Sequence, residues 1–458
     1  MATGTFIKMS KIRPGAYVNY RAPIKPRTLG DNRGIVAFMW PLAWGPEGEV
    51  IKVTAEEMAT GASLKKVGVY ASMAYNIKDI TNEDSLTAFA IERLAFAKSH
   101  TALIFRSGKG GEKASKTIGG ITCTAKYSGT VGNRISVQIA EKTGGGYFVT
   151  TYLDRREVDR QFVTKSEELV ANDYIEFGTG TLAASVATKL EGGTNGTESE
   201  TATADFFAAV NEYPYTCLAC LNNDAAEEFT AEVKRMREEV GIKVQAAVYN
   251  HPNADYEGVI STHQGYRTTD GIDINAETLM PLLVASLTAG AGIPESLTYY
   301  TLPDADVILD DTGAAHEMTH EEIEAALTEG KMVISRRYDR TIVIEQDINT
   351  LHTFTAEKSK DFAKNLIIRT LDEINYYIVT RFESAYIGKV QNNALGRQSL
   401  RADIVGYLNT LVNAGAIDAF NAEDVDVLPG ETKASVIVNL AIKPVDAMEI
   451  MYMTVYVG

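Results

Sequence analysis

Cysteine is scarce in this chain: 458 residues carry three, Cys123, Cys217 and Cys220. So few thiols, and an odd number of them, exclude a disulfide-stapled secreted scaffold. Long apolar runs are missing too. No stretch approaches the ~18 uninterrupted apolar residues of a membrane span, and the opening MATGTFIKMS holds no apolar core of a signal peptide. The expectation is a chain folded in a reducing cytoplasm. Positive charge is in deficit, with 44 Lys and Arg against 60 Asp and Glu and a net charge of -16. That balance argues against direct contact with nucleic acid or an anionic membrane, both of which call for basic patches. The six histidines offer few general bases, and there is no G-x-S-x-G or P-loop spacing. No constellation supports catalysis, and no cofactor is expected.

What is present is length enough for two to four domains, and a texture that changes along the chain. The first 30 or so residues carry Pro14, Pro23 and Pro26 around one short β-prone run, Gly15, Ala16, Tyr17, Val18, Asn19 and Tyr20. Such a run cannot be stable alone and needs a sheet to join, so the segment reads as an arm. Arg33–Trp40 reads as a buried strand, Glu83–Lys98 as a helix and Thr101–Phe105 as a second buried strand, the pattern of a sheet covered on both faces. From Thr117 to about Gly193 the chain is rich in Thr, Gly and β-branched residues. There the short strands ITCTAKYS, RISVQIAE, YFVTTYLD, RQFVTK and YIEFGT form an inserted all-β domain.

The α/β texture then resumes. TCLACL (216–221) and KVQAAVY (243–249) read as strands, and Ala225–Val240, Asn275–Ala289 and Thr319–Leu327 as helices. KMVISR and TIVIEQD follow as strands. A final domain opens near Thr355 with a long helix to about Phe382, whose stripe is Phe362, Leu366, Ile367, Leu371, Ile374 and Ile378. A second helix carries Leu400, Ile404, Leu408 and Leu411, and the chain closes with strands at Ala434–Ile442 and Glu449–Val457. In the last strand Ile450, Tyr452, Thr454 and Tyr456 alternate with Met451, Met453, Val455 and Val457, so both faces are largely apolar. A terminal strand of that kind must be covered, either within the protein's own sheet or by another chain.

Several motifs invite chemistry. His316-Glu-Met-Thr-His320 fits H-E-x-x-H, in which two histidines one helical turn apart bind zinc. Here Thr319 followed by Glu322 makes a capping box, so the helix should start at Thr319 and leave His316 outside it. Cys217 and Cys220 match C-x-x-C, but at strand spacing they point to opposite faces. The glycine runs at Gly178–Ala183 and Gly108–Gly111 lack the strand and helix context of phosphate loops. On this reading Lys358, Lys360 and Lys364 open the long helix, with Lys360 and Lys364 on one face: a solvated face, or a docking face for an acidic partner.

Arg13-Pro-Gly-Ala-Tyr-Val-Asn19, Trp44-Gly-Pro46, His352-Thr-Phe-Thr355, the helix Lys364–Arg369, Tyr386–Asn393 and Gly396-Arg397 together resemble the tail sheath proteins of contractile-tailed phages. The likeness spans the chain and includes the domain order. It implies a multidomain α/β fold: an arm (1–30), an α/β core of subtilisin-like topology (31–115 and 197–353), an inserted β-sandwich (116–196) and an α+β C-terminal domain (354–458). It also implies a structural subunit and no enzyme, stacked with its own copies as six-fold discs around an inner tail tube. Baseplate and tail terminator proteins would be further partners, with assembly in the host cytoplasm and residence in the virion tail. Under this reading residues 15–20 are an inter-subunit arm and residues 450–456 an exchange strand. Lys358, Lys360 and Lys364 become candidates for the tube-facing contact. Open alternatives are the sheath of a phage-like bacteriocin or other contractile injection device, a zinc metalloprotease built on His316, Glu317 and His320, and a monomeric carbohydrate-binding adhesin.

Overall fold

In a computed structural model, the described residues are 2–4, 15–17, 33–75, 80 and 82–457. The chain divides into two compact units, Met1–Asp31 and Asn32–Gly458. In the first, Ala2–Gly4 pairs in parallel with Gly15–Tyr17. The predicted arm strand therefore finds a partner within its own segment, while Val18, Asn19 and Tyr20 lie outside the described residues.

The second unit is built around a seven-stranded sheet. Its order is Lys331–Met332, Val259–Thr262, Gln245–Tyr249, Cys217–Ala219, Ile35–Trp40, Thr101–Arg106 and Val50–Thr54. Every pairing is parallel except that of the edge strand Val50–Thr54, which runs antiparallel to Thr101–Arg106. Strand alternation distributes side chains between two cores. Val36, Phe38, Ala102, Ile104 and Cys217 face the helix Leu279–Gly290, whose residues 279–289 are all buried. Ala37, Leu103, Phe105, Leu218 and Cys220 face Phe206 and Phe229 from two helices on the other side. Near-continuous apolar strands follow from this double coverage. The helix expected from Asn275 begins at Leu279, because the Asn275 side chain instead accepts the amides of Thr278 and Leu279.

The inserted domain is a sandwich. One sheet orders Arg156–Val163, Tyr147–Leu153, Ile135–Glu141 and Ser185–Lys189; the other orders Ile175–Phe177, Ile121–Ser128 and Lys113–Ile118. Ile121, Cys123 and Ala125 meet Val137, Ile139 and Val149 across the interior. Trp44, from a loop of the core, plugs the base of this sandwich with no exposed surface, edge-on to Tyr127 at 5.3 Å. At the same junction Glu47 accepts from the amides of Gly110 (2.9 Å) and Gly111 (3.1 Å) and from the Ser128 hydroxyl, and Arg106 donates to Ser128 at 3.1 Å. Gly129 passes so close that a Cβ there would stand 2.0 Å from the carbonyl oxygen of Ala43. The sandwich is thus seated on the core through packing as well as through its two connecting strands, Gly108–Lys109 and Thr197–Glu198.

The long C-terminal helix spans Asn365–Ala385 and the second helix Ala394–Asn413. The first part of the long helix is buried almost all round and not along one stripe: Arg369, Asp372 and Glu373 are as hidden as Leu366 and Ile374. Charge survives there because it is paired, Arg369 to Asp347 at 2.7 Å and Arg237 to Asp372 in a two-point contact. Farther along, Tyr377 stacks on Tyr407 at 3.6 Å, joining the two helices.

Candidate assembly surface

The C-terminal region ends in a two-stranded antiparallel hairpin, Val425–Pro429 with Val436–Leu440. No third strand joins it among the described residues, which leaves its outer edges open to strand addition except at Val425, whose carbonyl accepts from Arg401 Nε at 2.7 Å. Only Val425 of the ten hairpin residues is fully buried. Near the hairpin's turn a groove of about 540 Å3 is lined by Phe382, Tyr386, Val390, Leu400, Lys433 and Val436.

The expected terminal strand is present in sequence but not in the sheet of its own subunit. Among the described residues, 449–457 make no ladder pairing, and the large apolar side chains from Ile450 to Val457 are 68–93 % exposed. Of the two covers the alternation allows, the protein's own sheet does not supply one among the described residues. The segment's last fixed point is Glu449. The carboxylate accepts from Thr298 Oγ1 at 2.8 Å and Gln346 Nε2 at 3.1 Å, and pairs with Lys364.

The three lysines do not form one helical face. The helix starts at Asn365, Lys360 sits in a 3-10 turn before it, and Lys364 is the cap residue with an extended backbone. Lys358 is spent on Glu257, at 2.8 and 2.9 Å, and Lys364 on Glu449. Lys360 alone of the three is exposed. Neither Glu257 nor Glu449 could be assigned from local spacing, since each lies about a hundred residues from its lysine.

The other motifs resolve by geometry. The helix over His320–Thr328 starts after Thr319, with the reciprocal Thr319 and Glu322 capping bonds in place. His316 precedes it in irregular chain, Glu317 pairs with Arg336 at 2.6 Å, and His320 is 82 % exposed at its side chain. The residues that would form a zinc site do not converge, and no group of three or more His, Cys, Asp or Glu among the described residues could hold a metal ion. Cys217 and Cys220 belong to the two opposite cores, and burial pushes both thiols up to about 12.

Three phage tail sheath family models match in succession: the β-sandwich domain at 109–195, the central domain at 196–350 and the C-terminal domain at 357–458. The phage-like element PBSX protein XkdK of Bacillus subtilis is 31% identical over 491 residues, covering 100% of both chains. The sheath tail protein of Desulfitobacterium hafniense superposes with a TM-score of 0.77 at 34% identity, covering 95% of this chain and 98% of that one. A subunit of the contracted helical sheath of the anti-feeding prophage shares the fold, with a TM-score of 0.55 at 12% identity over 97% and 98% of the two chains. The chain belongs to the phage tail sheath protein family.

Proposed function

We propose that this chain is the structural subunit of a contractile tail sheath, polymerising as six-fold discs around an inner tail tube and contracting to drive that tube through the host envelope. The observation that carries the reading is an exposed apolar C-terminal segment that joins no sheet among the described residues, in a subunit whose terminal hairpin pairs with no third strand there. Segment 450–456 of one subunit and the arm around residues 15–20 of another would complete that hairpin as added strands. Contacts of this head-to-tail kind do not close on themselves and so build an open helix. Each ladder bond contributes only ~0.5–1.5 kcal/mol net, but a strand supplies several and each subunit has more than one neighbour.

In the extended sheath the compact bodies are held in a kinetically trapped arrangement, and contraction exchanges one set of body contacts for another of lower free energy. The strand pairings persist throughout, so the lattice shortens and widens without dissociating. The α/β core has a subtilisin-like topology in this reading, without a catalytic role. The domain divisions fall at residues 30, 115, 196 and 353. Lys360 is the tube-facing candidate that remains exposed; baseplate and terminator proteins bind the ends of the stack. The sheath assembles in the host cytoplasm and resides in the virion tail. A second reading, the sheath of a phage-like bacteriocin or other injection device, draws on the phage-like element to which the XkdK relative belongs.

Negative-stain microscopy of the full chain and of a chain lacking residues 1–22 tests the proposal. Hollow ridged cylinders from the first and dispersed particles from the second are expected. Stable monomers from the full chain, even with tube and baseplate proteins supplied, would remove it.

A further inference from the structure

Between the last backbone contact of the C-terminal region and the free segment lies one side chain held by three donors. Val445 N–H donates to Ala416 O at 3.0 Å, the final backbone–backbone bond among the described residues. Four residues on, Glu449 reaches back to the core: Oε1 takes the Thr298 hydroxyl, Oε2 takes the Gln346 amide, and Lys364 neutralises the charge. Its side chain is only 11% exposed, whereas Met448 before it and Ile450 after it are open to solvent. A carboxylate drawn in this far between exposed neighbours reflects local attraction and not general burial of the segment.

The donors are themselves fixed. Thr298 Oγ1 accepts the amide of Asp347 at 3.0 Å while donating to Glu449, so its proton has one direction to go. Asp347 in turn takes Leu297 N–H (3.0 Å), Asn365 Nδ2 (2.9 Å) and Arg369 Nη2 (2.7 Å). The group that receives Glu449 is therefore rooted in the buried seam between the core and the long helix.

We infer that Glu449 is a latch that fixes the point at which the C-terminal segment leaves the subunit, and so sets its register on a second copy of this chain. The inference rests on the sheath reading only for the identity of the acceptor. Nine residues, 450–458, follow the latch. Extended at ~3.3 Å per residue they reach on the order of 30 Å. Without the latch the free length grows back to Val445, and the added slack lets the strand slip by pairs of residues in its acceptor.

The test compares wild type with Glu449→Ala, the near-isosteric Thr298→Val, and the exchanged pair Lys364→Glu with Glu449→Lys; Met448→Ala is the control. Two readouts are used: hydrogen exchange over residues 442–450 in dispersed protein, and cylinder formation. Exchange at Val445 should rise about tenfold in Glu449→Ala and less in Thr298→Val, with the helix 365–385 unchanged. The exchanged pair should recover part of the protection and Met448→Ala should behave as wild type. Cylinders from Glu449→Ala should be shorter or irregular. Unchanged exchange in Glu449→Ala overturns the latch; faster exchange with normal cylinders overturns its role in register. If wild type forms no cylinders but the exchange pattern appears, the sheath reading fails while the intramolecular latch stands.

Discussion

Arg237 and Asp372 form a two-point ion pair at 2.7 and 2.8 Å, both side chains nearly removed from solvent, one on a helix of the core and the other on the long C-terminal helix. Arg237 also donates to the carbonyl of Val244. The pair fastens the long C-terminal helix to the core with direction as well as energy, because the two parallel bonds of a guanidinium fork are geometrically specific. Removing either partner leaves the other charge buried and unpaired. Arg237→Ala or Asp372→Ala should cost about 3–5 kcal/mol, read as a lowered denaturant midpoint. The double replacement should cost less than the two single losses summed.

Trp44 makes a second seam testable. It belongs to the core by sequence but to the sandwich by packing, lying against Tyr127 and near Tyr174. Trp44→Ala should destabilise by about 3–5 kcal/mol. Its distinguishing sign is selective: hydrogen exchange should rise in strands Ile121–Ser128 and Ile135–Glu141 before the parallel sheet responds.

Acid should loosen the same junction. Burial raises the Glu47 carboxyl, but bonds from Ser128, Gly110 and Gly111 and the charge of Arg106 outweigh it, so the group sits below the ordinary glutamate value. A carboxyl depressed in the folded state adds stability that is fully present above its unfolded value of roughly 4.3 and is lost as pH falls through the lower folded value. Wild type should therefore lose stability below about pH 4 in a way that Glu47→Gln does not. Glu47→Gln should already be weaker at neutral pH by about 1 kcal/mol. Thermal melts of the two proteins across pH 3–7 give the comparison; parallel curves would sink the assignment.

The cysteines supply a chemical test of packing. Cys123, Cys217 and Cys220 are buried, and burial pushes each thiol up to about 12. Thiolate is the reactive form, so at pH 8 only about one thiol in ten thousand is ionised. Alkylation by iodoacetamide should be negligible in native protein and complete after denaturation. Rapid labelling of any one thiol would place it outside the core.

What the sequence disclosed was local or periodic. Thr319 and Glu322 lie three residues apart, so their capping box could be read directly, and with it the exclusion of His316 from the helix. Cys217 and Cys220 could be assigned to opposite faces because strand period alone decides that. Local spacing puts Lys358 and Lys364 on the helix, whereas what holds them, Glu257 and Glu449, is remote in the chain. The buried charges Arg369 and Asp372 broke the expected apolar stripe for the same reason: their partners Asp347 and Arg237 come from other elements. Strand Val425–Pro429 carries little signal in the sequence, because one of its five residues is buried and little alternation results. Segment 450–457 shows the limit of pattern most clearly. Alternation with two apolar faces fits an internal strand and an exchanged one equally, and among the described residues the segment stands apart from every sheet of its own chain.

That separation gives the last prediction. Residues 450–457 bury almost nothing in their own subunit, so their removal takes away no core, no ladder bond and no cap. A chain ending at Glu449 should unfold within about 0.5 kcal/mol of wild type, as for surface changes generally. If the segment is an added strand of a neighbour, the same truncation should abolish polymerisation. The two measurements must diverge, with stability kept and assembly lost. A drop in stability would mean that the segment covers its own subunit after all. Normal cylinders from the truncated chain would mean that subunits are joined elsewhere, leaving the exposed Met451, Tyr452 and Tyr456 without a role in the lattice.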